Sequence, residues 1–181
     1  MSEAVARHTS FAEMQCPIAR ALDQAGEWWS LLILRDAFQG SSRFGEFQKG
    51  LGISDNSLTR RLSDLVGKGL LERRAYQERP KRYEYVLTDA GRDFLPVLVS
   101  LAQWGKKYDR PEQGETWVAD AQTGRMMRPV FVDRCTGEEI SGHGVVIVNT
   151  AAGIQTARPQ VDEMGAPPSS ATECSHPKEA S

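Results

Sequence analysis

Residues 53–69 read Ile53-Ser54-Asp55-Asn56-Ser57-Leu58-Thr59-Arg60-Arg61-Leu62-Ser63-Asp64-Leu65-Val66-Gly67-Lys68-Gly69. Ser54 is a good N-cap, and Ile53 before it with Leu58 after it can form the hydrophobic staple that sets the angle at which the chain enters a helix. Leu58, Leu62 and Leu65 then fall within about 60° of one another at 100° per residue, so they form one buried stripe. The opposite face projects Asn56, Arg60, Ser63 and Gly67, flanked by Ser57, Thr59, Arg61 and Asp64. The expected element is a helix whose back is apolar and whose front is polar and cationic toward its N-terminal half.

Upstream, Cys16-Pro17 predicts a helix with Cys16 as N-cap and Pro at its first position, continued by Ile18, Leu22 and Ala25 and ended by Gly26. The run Trp28 to Phe38 is apolar nearly all round, which predicts a central helix. Phe44, Phe47 and Leu51 mark a short helix closed by Gly50 or Gly52. Downstream, Leu70–Tyr76 reads as a strand, 77–80 as a turn, and Lys81–Leu87 as a returning strand with period-2 alternation. Thr88 with Asp89 starts a last helix in which Leu98, Leu101, Gly105 and Tyr108 recur on one face. Phe94, Leu95 and Trp104 add apolar area, and a kink is expected near Pro96.

The order is helix, helix, short helix, capped helix, basic hairpin, long apolar-faced helix. That is an α+β winged helix-turn-helix over 13–110. The expected DNA-contacting residues are Ser54, Asn56, Ser57, Thr59, Arg60, Arg61 and Ser63 on the capped helix, with Arg79, Lys81 and Arg82 at the hairpin tip. A helix fits the ~12 Å major groove. Helix N-termini accept phosphate, and a cationic hairpin suits a neighbouring phosphate or the minor groove. Leu98, Leu101, Trp104 and Tyr108 are the expected dimer contacts, because so wide an apolar stripe on a small domain calls for a second copy. For Trp28 and Trp29, packing in the core or a dimer is favoured over lining an effector pocket.

From Cys16 to Tyr108 the chain also resembles the HxlR-type transcriptional regulators, a MarR-like winged-helix family. The resemblance is carried by Cys16-Pro17-Ile18, Gly26-Glu27-Trp28-Trp29, Leu32–Arg35, Arg43-Phe44, Gly52-Ile53-Ser54, Leu58–Leu62, Gly69-Leu70-Leu71, Glu84–Thr88 and Trp104-Gly105. It implies a homodimer, joined by the N-terminal and last helices, on a two-fold-related operator. It also implies a response to electrophiles or oxidants through a cysteine at the position of Cys16. A helix N-terminus favours the thiolate, the reactive form. The competing reading is a small buried hydrophobe. Glu27 departs from the family, many of whose members are basic there.

The 181 residues, 40% apolar and 25% charged, fit a soluble globular domain with an appendage. No stretch approaches the ~18 apolar residues of a membrane helix, and the start lacks a secretory pattern, so a cytoplasmic location is expected. Net charge is −2, yet residues 55–82 hold 8 Lys+Arg against 4 Asp+Glu. Phosphate responds to that local excess and not to the total. Three cysteines, Cys16, Cys135 and Cys174, an odd count at wide spacing, exclude a disulfide framework and any all-cysteine zinc site within one chain. His8, His143 and His176 stand at no catalytic spacing, and no Gly-rich phosphate loop is present, so an enzyme is not expected.

Outside the winged helix, residues 1–12 are expected to be flexible and 155–181, rich in Pro, Ser and Ala, disordered. Residues 111–154 are expected to form a small β-hairpin appendage. In it, Asp120–Gly124 and Asp133–Gly137 repeat D-x-x-T-G, the outline of a zinc-ribbon knuckle without its cysteines. Asp can cap such a turn and Gly supplies positive φ, so no metal and no cofactor are expected. The favoured function is a DNA-binding regulator, a repressor more readily than an activator because occlusion needs only binding. The expected partners are double-stranded DNA, a second copy of the chain and an unknown small-molecule or redox effector. The alternative is a winged-helix protein-interaction module with an acidic docking appendage.

Overall fold

The computed structural model describes residues 11, 16–108 and 118–140, which fall in two compact units divided after Trp117. The flexible ends expected at 1–12 and 155–181, residues 111–117 and 141–154 of the expected appendage, and the three histidines all lie outside the described residues, Phe11 excepted. The first unit runs α1 (Pro17–Ala25), α2 (Trp28–Phe38), α3 (Phe44–Leu51), α4 (Asp55–Gly67), β1 (Leu71–Glu78), β2 (Lys81–Leu87), α5 (Asp89–Arg92) and α6 (Leu95–Tyr108). It is a winged helix-turn-helix.

The core forms around α2, which packs on α1, α3, α4, α6 and β2. Ile33, Leu34, Phe47, Leu58, Leu62, Leu65 and Leu71 are fully buried. Even so, α2 is not apolar on every inward position. Ser30 and Asp36 are also buried, and Asp36 Oδ1 accepts hydrogen bonds from Arg35 Nε and Nη2 at 2.9 and 2.7 Å.

β1 and β2 pair antiparallel from Leu71↔Leu87 out to Glu78↔Lys81, with an irregularity between Ala75 and Gln77 that leaves Tyr76 as a bulge. The ladder therefore runs two residues further than the apolar pattern predicts, and the loop shrinks to Arg79-Pro80. The sheet also gains a partner with no strand pattern of its own. Arg43 bridges to Glu84, and Tyr85 N–H donates to the Ser42 carbonyl at 2.7 Å, tying the wing to the start of α3.

The single kinked helix expected from Thr88 onward is two helices. Thr88 caps α5 by accepting from Gly91 N–H at 3.0 Å, and the chain breaks at Asp93-Phe94 before α6 begins. Pro96 accounts for the break. It has no N–H for the carbonyl four residues back, yet it sits without penalty in the first turn of a new helix. Gly91 is buried, and a Cβ there would lie 2.1 Å from the Leu70 carbonyl oxygen.

The second unit is described as two tight turns. Ala119 bridges to Met126 and Val132 to Glu139. Asp120 Oδ1 accepts from the Gln122 and Thr123 N–H groups and the Thr123 hydroxyl. That hydroxyl, and then the Thr123 N–H, hold the Asp120 carboxyl below the usual range. Asp133 Oδ1 accepts from Cys135 N–H at 2.7 Å, and Gly124 and Gly137 take φ of +67° and +73°. No group of three His, Cys, Asp or Glu able to hold a metal occurs among the described residues.

Replacing Gly91 by Ala forces the α5 backbone away from Leu70. Thermal or urea unfolding is expected to show a loss of about 1–3 kcal/mol, as for overpacked sites in general. Unchanged stability would mean that this contact is not formed.

Candidate nucleic-acid interface

The turn from α3 to α4 is three residues long. Gly52, in the left-handed region at φ +63°, donates its N–H to the Gln48 carbonyl, and Ser54 caps α4 by accepting from Ser57 N–H. Ile53 and Leu58 are both buried in the same core, as a staple requires. Gln48 Nε2 donates to Asp55 Oδ1 across the turn.

With Leu58, Leu62 and Leu65 fixed in the core, the other side of α4 faces water. Ser54, Asn56, Thr59, Arg60 and Ser63 are exposed there, while Ser57 is half-buried beside the cap with its hydroxyl 3.0 Å from that of Ser54. Arg61 is different. Its side chain is only 13% exposed, and its guanidinium bonds Glu27 Oε2 at 2.7 Å and lies 3.6 Å from Asp64 Oδ2. Arg61 is thus turned inward and not outward, where it clamps α4 to the N-cap of α2. Lys68 adds a second clamp at the far end of α4, donating from Nζ to the Asp23 carbonyl at 2.6 Å. The acidic residue at 27 has a structural reason in this chain.

The hairpin tip carries Arg79, Lys81 and Arg82, all exposed and without carboxylate partners among the described residues. Further down the wing Arg73 lies 3.5 Å over the Tyr83 ring, and Arg43 lies 4.5 Å over that of Tyr76. Arg43 was not among the expected contacts, because no local pattern shows that Ser42 and Arg43 join the sheet. Arg43 is also the N-cap of α3. Arg has no acceptor, so Glu46 supplies this cap alone, taking the Ser42 and Arg43 N–H groups at 2.8 and 2.9 Å. Those two bonds hold its carboxyl below the usual range.

The remaining expected residues lie away from this face. Cys16 is the half-buried N-cap of α1 with a free thiol. Leu98 is half-buried, whereas Leu101, Trp104 and Tyr108 are 48%, 66% and 65% exposed. Trp28 is 66% exposed, stacked 4.9 Å from Trp29, which packs on the core. Trp28 is thus not a core residue of this unit.

The profile of the HxlR-like helix-turn-helix family matches residues 25–113. An uncharacterised HTH-type transcriptional regulator of Mycobacterium tuberculosis is 43% identical over 129 residues, which is 71% of this chain and 82% of the relative. A counterpart in Synechocystis is 39% identical over 101 residues, 55% of this chain and 75% of its own. Among solved structures, PA1607, described as a transcription factor, shares 38% identity with a TM-score of 0.68, covering 77% of this chain and 98% of that one. A second, PA1374 of Pseudomonas aeruginosa, also described as a transcription factor, shares 40% identity with a TM-score of 0.55 over 81% of this chain and all of that one. These relatives are described as regulators and not as enzymes.

The Arg61–Glu27 clamp can be measured with a double-mutant cycle. Arg61→Gln and Glu27→Gln are each expected to destabilise the fold, with a coupling of about 0.5–3 kcal/mol in chemical denaturation, the range for residues in contact. Strict additivity would show that the two side chains do not meet.

Proposed function

The chain belongs to the HxlR-like helix-turn-helix family of transcriptional regulators, and we propose that it is a repressor binding a two-fold-related DNA operator as a homodimer. The observation that carries this reading is the outer face of α4. Asn56, Thr59, Arg60 and Ser63 are exposed on a helix held from behind by three buried leucines and two clamps. Such a face can enter the major groove without any ordering of the helix on binding. Ser54 at the helix N-terminus suits a phosphate, and Arg79, Lys81 and Arg82 suit the flanking backbone or the minor groove.

The second copy is supported by uncovered apolar surface. On α6 Leu101, Trp104 and Tyr108 are exposed, as are Ile18 and Leu22 on α1 and Trp28 at the start of α2. Side chains of this size stay in water only at a cost of about 25 cal/mol per Å², and a symmetric pair of copies would cover them. In this reading Cys16, at the start of α1, lies beside the dimer contacts. Its oxidation or alkylation would then change the spacing of the two α4 helices.

Arg60→Ala is expected to relax sequence preference by about 1–3 kcal/mol, and Lys81→Ala to weaken all duplexes alike. Both are read by binding titrations on specific and scrambled DNA across a salt series. Wild-type affinity should fall with a log–log slope near −0.9 per phosphate contacted. If neither substitution alters DNA affinity, this surface is not the interface. A flat salt dependence favours a protein partner.

A further inference from the structure

Arg43, the N-cap of α3, holds its guanidinium 4.5 Å above the ring of Tyr76, the residue that the ladder of the wing passes over. We propose that Arg43 and Tyr76 are a positioning pair, which aims the tip of the wing so that Arg79, Lys81 and Arg82 reach the phosphates beside the groove that α4 enters. This role rests on the DNA contacts proposed above for the tip, and adds to them the part of the fold that sets their angle.

The wing has two parts. From Leu71↔Leu87 to Ala75↔Tyr83 it is a regular ladder, anchored at its base by the buried Leu71 and Leu87. Along β2 it is also held by the bridge from Arg43 to Glu84 and by the bond from Tyr85 N–H to the Ser42 carbonyl. Beyond Tyr76 only Gln77↔Arg82 and Glu78↔Lys81 remain before Arg79-Pro80, and this short end carries the three tip cations. A bulge bends its strand and adds twist, so it decides where such an end points. In regular alternation Tyr76 would face away from Ala75 and its partner Tyr83. Instead it lines the same cleft as Tyr83 and Tyr85, against Arg43 and the first residues of α3, Phe44 and Gly45.

The bulge thus brings one ring to the side of α3, where a planar cation meets it. Glu46 already accepts from the Ser42 and Arg43 N–H groups, and Arg43 makes no salt bridge among the described residues. A guanidinium stacked on a ring resists tilting as well as separation. At the tip Gln77 Nε2 donates to the Arg79 carbonyl at 3.0 Å, which closes the loop on its own strand. Holding that end at a fixed angle before DNA arrives removes an ordering cost from binding.

The salt dependence of duplex binding by the full chain tests this. A merely structural role lowers the folded fraction, which thermal melting in the same buffers measures, and leaves the log–log slope of the folded protein alone. Arg79→Ala, Lys81→Ala and Arg82→Ala combined set the share of the slope that the tip supplies, about 0.9 per phosphate. Tyr76→Ala is expected to lose most of that share, Tyr76→Phe to keep the parent slope, and Arg43→Gln to behave as Tyr76→Ala does. Preference for specific over scrambled DNA, read by α4, should not change. Added to the triple variant, neither Tyr76→Ala nor Arg43→Gln should lower the slope further. A parent slope in Tyr76→Ala, where the triple variant has lost its share, overturns the proposal and leaves the DNA-binding wing standing. A parent slope in the triple variant overturns that wing and the proposal with it. A further drop for either residue on the triple background also overturns the proposal, and makes that residue a phosphate contact itself. So does a Tyr76→Phe slope as low as that of Tyr76→Ala, which assigns the effect to the hydroxyl.

Discussion

Burial of Leu58, Leu62 and Leu65 is the constraint on which the rest of the first unit depends. A fully buried leucine contributes about 1.5–3 kcal/mol relative to exposure, and all three lie on one stripe of one thirteen-residue helix. Rotating α4 by a single residue, about 100°, would expose the stripe and bury Thr59 and Ser63 or, in the other sense, Ser57 and Asp64. The packing of the back thus decides which side chains face water, and the cap at Ser54 decides where the helix begins. The clamps to Glu27 and Asp23 act on the same helix through a different force. They are polar and directional, and they join it to the corner between α1 and α2.

At that corner Trp28 follows Glu27 directly and is exposed, and Glu27 holds Arg61 on α4. The wing is tied in separately, through the pairing of Ser42 and Arg43 with β2. The helix and the wing are thus held by two different anchors.

The elements most legible in the amino-acid sequence were those written in local chemistry. Ser54, Gly52, the leucine stripe and Thr88 each act within a turn or two of themselves, and each does what its residue type favours. What escaped was long-range. Helical projection alone puts Arg61 at the edge of the leucine stripe, about 40° from Leu65 and about 60° from Leu58, but its charge placed it with the outward residues, and its partner Glu27 lies thirty-four residues earlier. The added edge at Ser42 and Arg43 has no strand pattern because its partner strand supplies the pairing. The division of the last helix was half visible in Pro96, which can kink a helix or begin one. The structure takes the second course, with Pro96 in the first turn of α6. In the second unit the D-x-x-T-G turns were readable because Asp and Gly satisfy the backbone locally.

The claim that the outer face of α4 reads DNA, presented twice about a symmetry axis, is tested most directly by hydroxyl-radical footprinting of the purified protein on the DNA flanking its own gene. The account predicts two protected patches on one face of the duplex, centred about one helical turn, 10–10.5 base pairs, or a multiple of it, apart. Both patches should disappear together as protein is diluted. Uniform cutting at every protein concentration, at low salt, would contradict it.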